Sequence, residues 1–143
     1  MANILIISRD PDVSYAVRMF LAQDHQTQSC RPGPRAEQLA RQPEIDVVIV
    51  DVKTPEDEEL DFIRRMKRRL PRLPMIFLSL YASQLSRNED RQELFHDAVF
   101  FPKPFDNQAV AAAVDLLAAR HRQEVDQLAG PEAQTGGPGP PMT

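Results

Sequence analysis

Asp46–Pro55, "DVVIVDVKTP", sets four β-branched aliphatic residues in succession, Val47 to Val50, and ends them on an acid, Asp51. A surface helix carries one apolar stripe and a half-exposed strand alternates. An unbroken β-branched run of this length is therefore read as a strand buried on both faces of a parallel sheet. Polar groups just past the carboxyl ends of such strands are where open parallel sheets meet their ligands, which makes Asp51 the first candidate site residue.

The same pattern recurs at Ile4–Ile7, Met75–Leu78 and Ala98–Phe101, while Gln26–Cys30, with polar and small residues alternating, reads as an edge strand. Between these blocks the apolar period becomes helical. Val13, Ala16, Val17, Phe20 and Leu21 form one face of a first helix; Phe62, Ile63, Met66 and Leu70 a face of the third; Val110, Ala113, Val114 and Leu117 a face of the fifth. A short second helix over Arg35–Arg41 follows "RPGP", and a fourth is expected over Ser83–Phe95. Asp10 and Pro11 read as the cap and first residue of the first helix. Strand and helix alternating five times give an α/β fold, with right-handed crossovers placing helices on both faces of the sheet.

The chain has 143 residues, enough for one core without covalent staples. Its last 15 residues, "AGPEAQTGGPGPPMT", hold four of the five glycines and four prolines, so residues 129–143 are expected to be a disordered tail or linker and 1–128 the domain. A net charge of -4 weighs against nucleic-acid binding, which leans on excess Lys and Arg. The run "RRMKRRLPR" is interleaved with Met66 and Leu70 and reads as a solvated helix face. Cys30 is the single cysteine, which excludes an intrachain disulfide and a thiolate metal cage and fits a reducing, cytoplasmic location. No basic leader or membrane-length apolar run is present, so no membrane association is expected. His25, His96 and His121 are scattered and read as surface or capping residues. Gly-rich phosphate loops are absent.

The strand ends deliver Ser8 and Arg9, Asp51, Ser79 and Lys103 to one rim. With these residues in place, the span from Asn3 to Leu128 resembles the receiver domain of bacterial two-component response regulators. "DVVIVDVKTP" is similar to the phospho-acceptor strand with Asp51 in the acceptor position. "MIFLSL" ends in the phosphoryl-sensing hydroxyl, Ser79, and "FFPKPFD" carries the lysine, Lys103, before a proline, with Phe100 as the mobile aromatic. The resemblance implies a flavodoxin-like (βα)5 three-layer sandwich whose five-stranded sheet has the order 2-1-3-4-5.

It also implies an acidic pair after the first strand that binds Mg²⁺, and there this chain has Ser8 and Arg9. A carboxylate attacking phosphorus needs the charge on the phosphoryl oxygens neutralised, and Mg²⁺ needs oxygen ligands. A guanidinium about 4 Å from the ion would oppose it by up to about 8 kcal/mol at an effective dielectric near 20. No metal ligands and no cofactor are therefore expected. Arg9 is expected instead to take the metal's place facing Asp51, with Lys53 and Lys103 adding positive charge. The acids Glu56, Asp57, Glu58 and Glu59, standing partly where the family has glycines, offer two readings: substitute metal ligands, or, the stronger of the two, acids complementing the positive end of the third helix.

The function implied is that of an atypical, pseudo-receiver domain of phosphorelay signalling, acting as a phosphorylation-independent protein-interaction module. Its expected partners are a histidine kinase, an output domain or another signalling protein. A homodimer is expected across the face formed by the fourth helix, fifth strand and alanine-rich fifth helix. Two alternatives stay open: a receiver phosphorylated on Asp51 through unusual Mg²⁺ ligation, and a flavodoxin-like domain holding a small ligand or anion at the same rim. Any enzymatic activity would be autophosphorylation and dephosphorylation at Asp51.

Overall fold

A computed structural model describes the backbone of residues 2–53, 57–79 and 99–135, with side chains apart from Asp57 and residues 128–135. Five parallel strands form one sheet: β1 (Asn3–Ile7), β2 (Gln26–Cys30), β3 (Val47–Asp51), β4 (Met75–Ser79) and β5 (Val99–Pro102). Their order is β2-β1-β3-β4-β5. Helices α1 (Pro11–Leu21), α2 (Pro34–Ala40), α3 (Asp57–Arg69) and α4 (Asn107–Thr135) are interspersed. The fold class and strand order are those expected. The helix expected over Ser83–Phe95, and with it part of the expected dimer face, lies outside the described residues, as do Ala98 and His96.

The unbroken apolar strands have the physical basis read from them. Leu5, Ile7, Val48, Val50 and Phe77 pack on one face against Ala36 and Ala40 of α2 and Leu60, Ile63 and Met66 of α3. Ile4, Ile6, Val47, Ile49 and Ile76 pack on the other against Val17 and Leu21 of α1 and Val110 and Val114 of α4. Each central strand alternates between two cores, so it tolerates no polar residue until its end. β2, with only Thr27 and Cys30 partly buried, is the edge. Ala16, expected on the core face of α1, is exposed instead, because Val17 and Leu21 with half-buried Val13 and Phe20 already fill that side.

Asp10 caps α1, its carboxylate accepting from the Asp12 N–H at 2.9 Å, and Pro11 opens the helix. Gly33 caps α2 with φ 145° and ψ -169°, a backbone region open in practice only to glycine. A Cβ there would meet nothing within 4 Å. Gly33→Ala should therefore cost about 1–3 kcal/mol through backbone strain alone. Urea unfolding would check this, and a neutral result would mean that α2 simply re-caps.

The long α4 departs from expectation. Helical backbone was not expected from Ala129 onward, yet α4 runs for 29 residues to Thr135. A helix already nucleated over its first turns can propagate through a glycine at about 1 kcal/mol and a proline at about 3 kcal/mol, since neither requires a new nucleus. No helix among the described residues is long and apolar enough to cross a membrane.

Beyond the core, α4 is clamped to the amino end of the sheet. Asp46, 6% exposed, accepts from the Asn3 N–H and the Arg122 guanidinium at 3.0 Å each, with His121 Nδ1 at 3.5 Å. His25 accepts from the Ala2 N–H at 3.0 Å through Nδ1, so its Nε2 carries the proton that meets Asp115 at 2.8 Å. The rings of His25 and His121 are thus largely enclosed, which leaves only the capping half of the surface-or-capping reading, and of the two His25 alone bonds through both ring nitrogens.

Burial alone would push the Asp46 carboxyl up, but the Arg122 and Asn3 hydrogen bonds, the Arg122 charge and His121 outweigh it and hold it below its ordinary value. Its stabilising contribution is thus fully present above the unfolded value of about 3.9 and is lost as pH falls through the lower folded value. Asp46→Asn should cost about 1.5–3 kcal/mol at neutral pH. The gap to the wild type, measured by urea midpoints, should close below a pH of about 4. A gap that is constant with pH would rule out this clamp as its source.

Candidate functional site

The sheet register brings the predicted residues to one rim. Asp51 pairs with Leu78, and Ser79 with Pro102, so the ends of β3, β4 and β5 lie side by side. The Ser79 carbonyl accepts from the Lys103 N–H at 3.3 Å, tying the residue after β5 to β4. On the other side, the Ser8 N–H donates to the Cys30 carbonyl at 3.0 Å, extending β1 one residue past its end. The Lys103–Pro104 bond is cis.

At the centre lies Asp51, 3% exposed. Its Oδ2 accepts from the Ser8 hydroxyl at 2.7 Å. Its Oδ1 pairs with the Lys103 ammonium. The Ser8 oxygen also accepts from the Asp10 N–H at 2.9 Å, so the hydroxyl is engaged as both donor and acceptor. Ser79 is fully buried at the end of β4. Both carboxylate oxygens of Asp51 are thereby occupied by protein groups, one neutral and one cationic.

Arg9 is placed differently from expectation. It does not pair with Asp51; its Nε lies 3.6 Å from Oε1 of Glu59 in α3. The reason is competition. Ser8 and Lys103 have taken the Asp51 oxygens, whereas Glu59 is only 8% exposed and requires a counter-charge. Lys53 is exposed, and its contribution is its backbone N–H, which donates to Glu59 Oε1 at 3.4 Å. The rim thus holds two linked pairs, Lys103 with Asp51 and Arg9 with Glu59.

Glu59 is the site residue whose partner sequence reading missed, having read it as a helix-terminus acid or a substitute metal ligand and not as the partner of Arg9. A signal was available: it stands three, four and seven residues before Phe62, Ile63 and Met66, on the buried stripe of α3. On the outer side of α3, Arg64 meets Asp61, and Arg65 and Arg69 meet Glu37 of α2. Phe100 is half-buried, its ring centroid 5.3 Å from that of Phe77, and it packs on the α2–α3 side of the sheet. Phe101 packs on the opposite side.

The donor set does not suit Mg²⁺, which takes oxygen ligands and usually one or two carboxylates. The two residues after β1 offer one hydroxyl, already hydrogen-bonded, and one cation. Among the described residues no group of three His, Cys, Asp or Glu side chains is placed to hold a metal ion.

Comparison with known proteins agrees with this architecture. The family model described as "Response regulator receiver domain" matches residues 4–115. No curated protein matches the chain. Among solved structures, the chain is similar to a sensor protein from Polaromonas, with a TM-score of 0.70 and 22% identity over 84% of this chain and 98% of that one. A response regulator receiver domain protein from Clostridium thermocellum gives 0.69 and 20% identity over 86% and 98%. The N-terminal signal receiver domain of a response regulator from Bacteroides fragilis gives 0.66 and 22% identity over 82% and 97%. At these identities the structural likeness speaks for the fold.

Proposed function

Because the chain belongs to the response regulator receiver domain family, we propose that it serves phosphorelay signalling as a pseudo-receiver, a protein-interaction module that works without phosphorylation of Asp51. One observation carries this reading: Ser8 and Lys103 occupy both oxygens of the Asp51 carboxylate, and Ser8 and Arg9 stand where Mg²⁺ would find its acids. Phosphoryl transfer to a carboxylate relies on neutralising the charge that develops on the phosphoryl oxygens. Lys103 alone would have to provide this, and Arg9 is directed to Glu59.

In this reading Asp51, Ser79 and Lys103 are retained as a hydrogen-bonded and ionic lock on the strand ends. The Arg9–Glu59 pair, with the Lys53 backbone, fixes the start of α3, and Phe100 is held by Phe77. The surfaces so fixed would meet a histidine kinase, an output domain or another signalling protein in the cytoplasm, or a second copy through the β5 and α4 side. No cofactor takes part.

The retained Asp51–Lys103 pair favours one second reading, a receiver that accepts phosphate on Asp51 with unusual metal ligation. Incubation with acetyl phosphate and Mg²⁺, followed by intact mass, separates the two. The expected result is no adduct. A one-phosphoryl adduct that disappears in Asp51→Asn would overturn the interaction-module reading.

A further inference from the structure

Beside the Asp51 rim, between α1 and the end of β2, lies an open cavity of about 340 Å³. Its lining residues include three arginines, Arg9, Arg18 and Arg31, and the serines Ser14 and Ser29, with Ser8 committed to Asp51, and no Asp or Glu. Asp10, the nearest acid in sequence, turns its carboxylate to the α1 amides. Arg18 reaches only Ser29 Oγ at 3.5 Å, and among the described residues neither Arg18 nor Arg31 has an acidic partner. Two of the three lining arginines, Arg18 and Arg31, are thus without an acidic partner among the described residues, while Arg9 is turned to Glu59.

Guanidinium forks and hydroxyls are the donors that match phosphate oxygens, and arginine provides them bidentately. Small-molecule sites span roughly 300–1,000 Å³, so the cavity is at the lower end of that range. Tyr15 stands at its edge with 66% of its surface exposed, an aromatic face available for a planar ring. We propose that this cavity binds a phosphorylated small molecule of nucleotide-monophosphate size, its phosphate held by Arg18 and Arg31 and its ring laid on Tyr15. The site is independent of whether Asp51 is phosphorylated, so it stands or falls separately from the proposed function.

Titrating the full chain at low salt with AMP, inorganic phosphate and adenosine, followed by amide NMR, tests the site. AMP should give saturable shifts at Ser8–Arg18 and Ser29–Arg31 with a dissociation constant below about 1 mM. Inorganic phosphate should bind the same residues more weakly, and adenosine should leave them unmoved. Arg18→Ala with Arg31→Ala should weaken AMP at least about tenfold. Both side chains are exposed, so an unchanged unfolding midpoint confirms that the variant is folded. Tyr15→Ala should weaken AMP about fivefold or more and leave inorganic phosphate unchanged. AMP that does not saturate, or that binds the arginine variant as well as the wild type, would overturn the site. An unchanged AMP affinity in Tyr15→Ala would overturn the nucleotide assignment. Tighter binding of a hexaglutamate peptide than of AMP would overturn the small-molecule assignment in favour of an acidic protein segment.

Discussion

Lys103→Met should lower the stability of this domain by about 3–5 kcal/mol, the scale seen when one partner of a buried ion pair is removed. Methionine keeps much of the stem volume and deletes the charge. The carboxylate of Asp51, with only 2% of its side chain exposed, is then left with one neutral hydrogen bond from Ser8. The converse change is milder. Asp51→Asn leaves an ammonium on a side chain that is 19% exposed, and a lysine on a flexible stem can turn its charge to water. That variant should cost about 1–2 kcal/mol, mainly one charge-assisted hydrogen bond. The double variant Lys103→Met, Asp51→Asn should then be more stable than Lys103→Met alone, a non-additivity of about 2 kcal/mol in a double-mutant cycle of urea unfolding. Strict additivity would mean that the pair is screened by water and that Asp51 is held by Ser8 alone.

The strands and the placement of Asp51, Ser79 and Lys103 at one rim were legible because each depends on local pattern. Val47–Val50 and Met75–Leu78 could be placed in a parallel sheet because burial on two faces admits no polar interruption, and their ends then had to share a rim. Asp51, Ser79 and Lys103 followed from that placement. What was not legible was which charge meets which. The sequence set Arg9 opposite Asp51, whereas it pairs with Glu59, and Ser8 and Lys103 meet the two oxygens of the Asp51 carboxylate. The Asp46 clamp joins residues 76 apart in sequence, and nothing local to "EIDVV" marks its acid as more than a strand flank. The helical run beyond Ala129 was missed for a third reason. Composition counts glycine and proline as breakers wherever they occur, whereas a helix that is already long can continue past Pro131 at a local cost of about 3 kcal/mol without a new nucleus.

Ser8→Asp with Arg9→Asp should turn this domain into a magnesium-dependent one, and two readouts would report it. Without metal, the new carboxylate at position 8 faces Asp51 where the hydroxyl now sits at 2.7 Å, and Glu59 loses its ion pair with Arg9. Two unit charges about 4 Å apart at an effective dielectric near 20 repel by about 4 kcal/mol, so a loss of roughly 2–4 kcal/mol is expected in the presence of a chelator. Mg²⁺ at a hundred times its dissociation constant should return about 2.7 kcal/mol of that by mass action. Acetyl phosphate should then label Asp51 in the double variant with Mg²⁺ present and not without it. The wild type should show neither response. Arg9→Ala separates the two physical causes of that silence. If the guanidinium charge alone excluded the ion, its removal would suffice for Mg²⁺ to stabilise the fold; if the missing oxygen ligands are decisive, Arg9→Ala stays as unresponsive as the wild type. The second outcome is expected, since Arg9 pairs with Glu59 and not with Asp51, while the Ser8 hydroxyl is already committed at both its donor and its acceptor. A wild type stabilised by Mg²⁺ as strongly as the double variant would show that the rim finds its ligands elsewhere, and would return Asp51 to the role of a phosphate acceptor.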